Sequence, residues 1–168
     1  MLGGIITVES VEGAGSNFSF TLPYYPVSTP KTADPAALTN PALSILIAED
    51  DAMSALLLKR NLKGENLTIL SAENGWEAVE LLQHHPEIKL VLMDLKMPIM
   101  SGFEATKLIK QKHPELPIIA QSAFSSLEVR RKASEAGCSA LISKPIKKDE
   151  LLEKMHEMLE KKPELHLW

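Results

Sequence analysis

Lys89-Leu90-Val91-Leu92-Met93-Asp94-Leu95-Lys96-Met97-Pro98 is an apolar run that ends in a carboxylate just before a proline turn. A short, near-continuous apolar run bounded by turn signals reads as a strand buried on both faces, the habit of parallel sheets. A carboxylate at the end of such a strand stands on the rim of the sheet, where ligands of open α/β folds bind. Ser44-Ile45-Leu46-Ile47-Ala48 ends the same way, in Glu49 and Asp50, and Ala140-Leu141-Ile142-Ser143 ends in Lys144 before Pro145. Strand ends can cluster in space, so three acids and one lysine are expected to share a pocket.

Outward from these runs, strands alternate with amphipathic segments. Strands are predicted at 44–49, 67–71, 88–93, 117–121 and 139–143, and helices at 52–63, 74–85, 102–112, 126–136 and 147–161. The last helix carries Leu151, Leu152, Met155, Met158 and Leu159 on one stripe, with lysines and glutamates opposite. Asn74 and Asp149 suit helix starts, and Gly64 and Gly137 sit just past helix ends. Five βα units imply an α/β fold, a parallel sheet wound doubly so that helices cover both faces.

The first residues have a different pattern. Gly4-Ile5-Ile6-Thr7-Val8-Glu9-Ser10 and Asn17-Phe18-Ser19-Phe20-Thr21-Leu22-Pro23 read as two strands joined by a glycine turn, with Phe18, Phe20 and Leu22 facing inward. An isolated hairpin is marginal in water, so residues 1–26 are expected to be the edge of a larger domain. Residues 27–43, rich in Pro, Ala, Thr and Ser without apolar periodicity, read as a linker; 44–162 form the main domain and 163–168 a tail.

Composition narrows the function classes. At 168 residues the chain holds one full core and little else. A net charge of -4 argues against direct nucleic-acid binding, which needs a basic face. No apolar stretch approaches the ~20 residues that span a bilayer, and no signal peptide is read, so no membrane contact is expected. The single cysteine, Cys138, excludes an intrachain disulfide and fits a cytoplasmic location.

The pocket suggests a divalent cation beside a phosphoryl group. Mg²⁺ (or Mn²⁺) binds through one or two carboxylates plus phosphate oxygens and keeps several waters. Asp50 and Asp94 can bind it directly, Glu49 through water, and a backbone carbonyl just after Asp94 offers a further oxygen. Such an ion offsets carboxylate repulsion and lets one carboxylate oxygen act as a nucleophile. Lys144 can neutralise the phosphoryl group, and the Ser122 hydroxyl can donate a hydrogen bond to it.

Over Ser44 to about Lys162 these residues resemble the receiver (response-regulator) family. The motifs are Ile45-Leu46-Ile47-Ala48-Glu49-Asp50-Asp51, Asp94 through Gly102, Ser122-Ala123 and Lys144-Pro145. The resemblance implies a flavodoxin-like sheet of five strands in the order 2-1-3-4-5. It also implies Asp94 as phosphoacceptor, Glu49 and Asp50 as metal acids, and the Lys96 carbonyl as the remaining ligand. Ser122 and Lys144 are implied as phosphoryl contacts. The family's aromatic switch position is Leu141 here, which puts the usual coupling through Ser122 and Leu141 in question.

The first segment resembles the last two strands of a histidine-kinase ATP-binding domain. Together the two resemblances imply the C-terminal part of a hybrid two-component sensor histidine kinase. The expected partner is a histidine kinase or a histidine phosphotransfer domain. No ATP-binding box or phosphoacceptor histidine motif is present, so the chain is not expected to phosphorylate itself. One rival is a Mg²⁺-dependent aspartyl-phosphate phosphatase or phosphotransferase. It needs an acid/base Asp two residues after the nucleophile, where Lys96 stands. The other rival, a phosphorylation-independent interaction module, predicts loss of a metal acid or the lysine, and none is lost.

The remaining notable side chains have plainer expected roles. Trp76 reads as a partly packed surface aromatic, His84 and His85 as a solvated helix end, and Cys138 as a small buried filler. Met93 and Met97 read as packing, Met100 as exposed. Arg130-Arg131-Lys132 reads as a solvated helix face.

Overall fold

The computed structural model describes residues 6–11, 15–21, 42–124 and 126–160. Two units separate, Met1–Leu38 and Thr39–Trp168. In the first, β1 (Ile6–Val11) pairs antiparallel with β2 (Gly15–Phe20), Ile6 opposite Phe20. The expected hairpin is therefore present. The inward face assigned to Phe18, Phe20 and Leu22, the linker up to residue 41 and the tail at 163–168 lie outside the described residues.

The second unit alternates strand and helix throughout. Its strands are β3 (Leu43–Ala48), β4 (Leu67–Ala72), β5 (Ile88–Asp94), β6 (Ile118–Ser122) and β7 (Ala140–Ser143). Its helices are α1 (Ala52–Asn61), α2 (Gly75–His84), α3 (Gly102–Lys112), α4 (Leu127–Ala136) and α5 (Lys148–Glu160). The sheet runs β4-β3-β5-β6-β7, all neighbours parallel. Counted from β3, that is the order 2-1-3-4-5, and the chain folds as a flavodoxin-like α/β domain.

Burial explains the sequence pattern. The inner strands β3, β5 and β6 are buried nearly end to end because helices cover both faces, whereas the edge strands β4 and β7 are only half-buried. On one face Ile45, Ile47, Leu90, Leu92 and Ile119 pack with Leu58 of α1 and with Leu151 and Met155 of α5. On the other, Leu46, Val91, Met93 and Ile118 pack with Ala78 and Leu82 of α2 and with Ala105 and Ile109 of α3. Alternate residues of one strand thus feed opposite cores.

Helix ends follow local chemistry. The Asn74 side chain accepts from the Glu77 N–H at 2.9 Å, as expected of an N-cap. Gly137 closes α4 in the left-handed region, φ 101°, where a Cβ is disfavoured. Asp149 lies inside the first turn of α5 and adds negative charge where the helix dipole is positive. Ser101 and Glu104 form a reciprocal capping box on α3.

Candidate functional site

The topology delivers four strand ends to one rim. Ala48 pairs with Met93, Asp94 with Gln121, and Ser122 with Ser143, so the residues just past β3, β5, β6 and β7 are neighbours. Backbone bonds tie the rim together. Leu95 N–H donates to the Gln121 carbonyl at 3.2 Å, and Lys144 N–H to the Ser122 carbonyl at 2.8 Å. On the far side Glu49 N–H donates to the Ala72 carbonyl at 3.0 Å.

One carboxylate oxygen from each of Glu49, Asp50 and Asp94 lies within 4.8 Å of the others. Glu49 and Asp94 are buried, and Asp50 opens to solvent. The Lys144 ammonium donates to both Glu49 oxygens, at 2.9 and 2.7 Å, and stands 3.4 Å from Asp94 Oδ2. The expected cluster is assembled, with one detail that spacing along the chain does not show: the lysine grips Glu49 more closely than Asp94.

The electrostatics report crowding. Burial pushes the Glu49 carboxyl above its usual value; Lys144 opposes the shift, and the charges of Asp94 and Asp50 reinforce it. Burial likewise raises Asp94, against the pull of Lys144 and the backbone N–H groups of Lys96 and Leu95. For Lys144, burial disfavours the ammonium, but Glu49 and Asp94 outweigh it and its pKa is raised. Three carboxylates facing one ammonium, two of the three buried, leave an excess of negative charge in an all-oxygen donor set that suits a hard divalent cation.

Around this centre the other expected residues divide. Ser122 is buried at the rim, and its Oγ accepts from the Phe124 N–H at 3.1 Å. Lys96 is exposed, and its ammonium lies over the Phe124 ring. Leu141 packs with Leu95, Ala120, Ala133, Phe103 and Val129 in a third apolar cluster, between the sheet and α4. The loop after Asp94 is held from below. Gly102 N–H donates to the Leu95 carbonyl at 3.2 Å, and Gly75 N–H donates to the Met100 carbonyl at 3.1 Å.

Several contributors to the site went unassigned from sequence. Asp51 caps α1 by accepting from the Ser54 N–H at 2.7 Å, which fixes the helix start beside Glu49 and Asp50. The Ser101-x-x-Glu104 spacing was a readable capping signal. Gly102 is required because a Cβ there would overlap the Asp94 carbonyl oxygen. Met100 corrects an expectation: it is half-buried against the α2–α3 core, while neighbouring Ile99, at φ 66°, takes the exposed turn position.

The plainer side chains behave as expected. Trp76 is largely exposed, and His85 pairs with Glu87 at 2.8 Å. On α4 Arg131 pairs with Glu135 and Lys132 with Glu128. The Cys138 thiol is half-buried and packs against two of the apolar clusters.

Comparison with known proteins agrees with this geometry. The response regulator receiver domain matches residues 45–156. The chain belongs to this receiver family. Over 161 residues it is 34% identical to the autoinducer 2 sensor kinase/phosphatase LuxQ of Vibrio parahaemolyticus, covering 91% of this chain and 19% of that protein. It is 32% identical over 164 residues to the sensor protein EvgS of Escherichia coli, covering 92% of this chain and 14% of that one. The chain thus spans less than a fifth of these curated relatives.

Among solved structures, the receiver domain of Saccharomyces cerevisiae Ssk1, crystallised with the histidine phosphotransfer signaling protein Ypd1, superposes with a TM-score of 0.65 at 29% identity. That match covers 70% of this chain and 89% of the other. A CheY-like receiver domain from Methanospirillum hungatei gives 0.62 at 32% identity, covering 69% and 92%. The receiver module places the chain in two-component phosphorelay signalling. Among the described residues no helix is long and apolar enough to cross a membrane.

Proposed function

We propose that the chain accepts a phosphoryl group from a phosphohistidine onto Asp94, in the cytoplasmic C-terminal part of a hybrid sensor histidine kinase. The observation that carries this reading is the convergence of Glu49, Asp50 and Asp94 within 4.8 Å, against Lys144. A carboxylate oxygen of Asp94 forms the new O–P bond as the N–P bond of the phosphoimidazole breaks, and the ring nitrogen keeps the electron pair. Glu49, Asp50, Asp94 and the Lys96 carbonyl are the oxygens that would hold Mg²⁺ or Mn²⁺. When bound, that ion supplies charge neutralisation for the carboxylates and the phosphoryl oxygens. A crystallised CheX–CheY–BeF3–Mg complex from Borrelia burgdorferi, similar to this chain at 25% identity and a TM-score of 0.65, supports the choice of ion.

Lys144 pairs with the transferred group by turning from Glu49, and Ser122 does so by releasing the Phe124 N–H it now holds. The second movement transmits the event to the turn before α4. Leu141 offers no hydroxyl or ring, so any switch at its position works through packing with Leu95 and Ala120.

The partner reading rests on α1. Met53 and Leu56 are exposed apolar residues one helical turn apart, and they line the same cleft as Glu49 and Asp50. With Leu57 they form a surface beside the acids on which a helix bearing the phosphohistidine can dock. The Ypd1–Ssk1 co-crystal and the kinase relatives support a histidine phosphotransfer domain or a histidine kinase in that role. Coverage of 91% of the chain by the LuxQ match reaches beyond the receiver unit and supports a kinase origin for the hairpin.

Incubation with phosphoramidate and Mg²⁺ should add one acid-stable, base-labile phosphate. EDTA should prevent it and Asp94→Asn should abolish it. Stoichiometric labelling of the Asp94→Asn protein would overturn the assignment.

A further inference from the structure

β4 is an edge strand, and in the sheet it borders β3 alone. The N–H groups of Leu43 and Glu49 donate to the carbonyls of Asn66 and Ala72, so even-numbered positions along β4 turn their backbone groups to β3. Ile69 and Ser71, between them, turn theirs outward, and among the described residues no strand meets them. An open edge of this kind is a template for a further strand.

One flank of α1 faces that edge across a cleft of about 500 Å³. Leu56, Leu67 and Ile69 give the cleft apolar walls, and Lys59, Arg60 and Lys63 give it three cations. Leu56, Lys59 and Arg60 follow one another at helical spacing, and Lys63 stands just past the helix end. All three cations are exposed, and among the described residues none of them is in an ion pair. Glu65 also lines the cleft, but it faces Lys148 at 3.9 Å. A chain with a net charge of -4 thus carries an unneutralised positive strip beside an unpaired strand. The phosphoacceptor site accounts for neither feature.

We propose that the β4 edge and the α1 cations together dock an extended acidic segment of a partner protein, which adds to the sheet as a further strand. Its backbone pairs with Ile69 and Ser71, and alternate carboxylates on its α1 side meet Lys59, Arg60 and Lys63. The two features select this occupant between them. Backbone groups along the edge are matched by another peptide backbone, which a nucleic acid or a lipid headgroup does not offer. A second copy of this chain, paired edge to edge, would bring two sets of cations together, and like charges disfavour that arrangement. Docking here does not depend on the phosphorylation reading.

The test is a titration of the full chain, labelled with ¹⁵N, using the capped peptide Thr-Glu-Val-Glu-Val-Glu-Thr, whose glutamates share one face of a strand. It should give saturable shifts at the backbone amides of Ile69 and Ser71, with a Kd of about 1 mM for so short a probe. The same peptide with proline at both valines keeps the charge but cannot join a ladder, and it should bind at least about fivefold more weakly. A version with lysine at every glutamate should not bind. Reversing the three cations together (Lys59→Glu, Arg60→Glu, Lys63→Glu) should weaken the first peptide at least about tenfold. Absence of saturable shifts, as expected if the cations merely guard the edge, would overturn the proposal. Equal binding of the valine and proline peptides to the parent chain would overturn strand addition, and equal binding of the lysine peptide would overturn the acidic preference.

Discussion

The Lys96 ammonium lies 4.7 Å from the centre of the Phe124 ring, a cation–π contact between the turn after β5 and the turn after β6. Lys96 follows Asp94 by two residues and Phe124 follows Ser122 by two, so the pair spans the mouth of the acidic pocket. Both residues are exposed, and such a contact contributes about 0.5–1 kcal/mol.

If Asp94 carries an acyl phosphate, as proposed, this bridge is expected to screen it from water. Phe124→Ala removes the ring and frees the lysine, so the phosphorylated protein should lose its label about two- to fivefold faster. The measurement is loss of label after the donor is removed. A parent protein that hydrolyses as fast as the variant, or faster, refutes the screening role.

Burial holds the Glu49 and Asp94 carboxyls above their usual range, and the charges of Asp94 and Asp50 add to the rise at Glu49. The folded chain therefore keeps protons on them that the unfolded chain has lost, and their contribution to stability falls as pH rises from the unfolded value through the folded one. Without metal at neutral pH, Asp94→Asn should raise Tm, with a gain on the order of 1 kcal/mol. Mg²⁺ should stabilise the parent and do so much less in the variant. A lower Tm for Asp94→Asn in EDTA would show that Lys144 offsets the crowding entirely.

Glu49 is the residue that Lys144 holds through both carboxylate oxygens. Glu49→Gln removes one negative charge from the cluster and loosens the lysine. Mg²⁺ affinity, read by isothermal titration, should fall by about tenfold or more. Unchanged affinity would remove Glu49 from the metal set.

The loop that follows Asp94 tolerates no side chain at Gly102, where a Cβ would meet the Asp94 carbonyl. Gly102→Ala should destabilise the domain by about 1–3 kcal/mol and slow labelling of Asp94. Ser101→Ala, which deletes only the capping box, should cost about 1 kcal/mol with little effect on labelling. Urea titration separates the two, and a neutral Gly102→Ala would mean the loop can shift without disturbing the acceptor.

Cys138 is shielded by its neighbours. Burial pushes its thiol pKa up, only partly opposed by the Thr106 hydroxyl and Lys110. Alkylation by iodoacetamide at pH 7.5 should run at least about tenfold slower in the folded protein than in urea, because the thiolate is the reactive form. Comparable rates would place the thiol in open contact with solvent.

Much of this protein is legible in one dimension because its chemistry sits at strand ends. Apolar runs such as Lys89–Asp94 name both the strand and the acid at its rim, and alternation with amphipathic helices leaves few topologies open. That is why the elements, the parallel sheet and the grouping of Glu49, Asp50, Asp94 and Lys144 follow from sequence. What spacing does not contain is distance between residues far apart along the chain. Only the folded structure shows that Lys144 prefers Glu49, that Lys96 reaches Phe124, and that Gly102 lies against the Asp94 carbonyl. Met100 is half-buried rather than exposed, with its carbonyl held by the Gly75 N–H of another element, and Ile99 takes the exposed turn position. Gln121 is the clearest case: in sequence it is a polar residue near a strand end, and only packing reveals that both its amide atoms are sealed from solvent without partners. Local pattern decides which residues form the elements, while side-chain pairing across the sheet is a property of the three-dimensional contact alone.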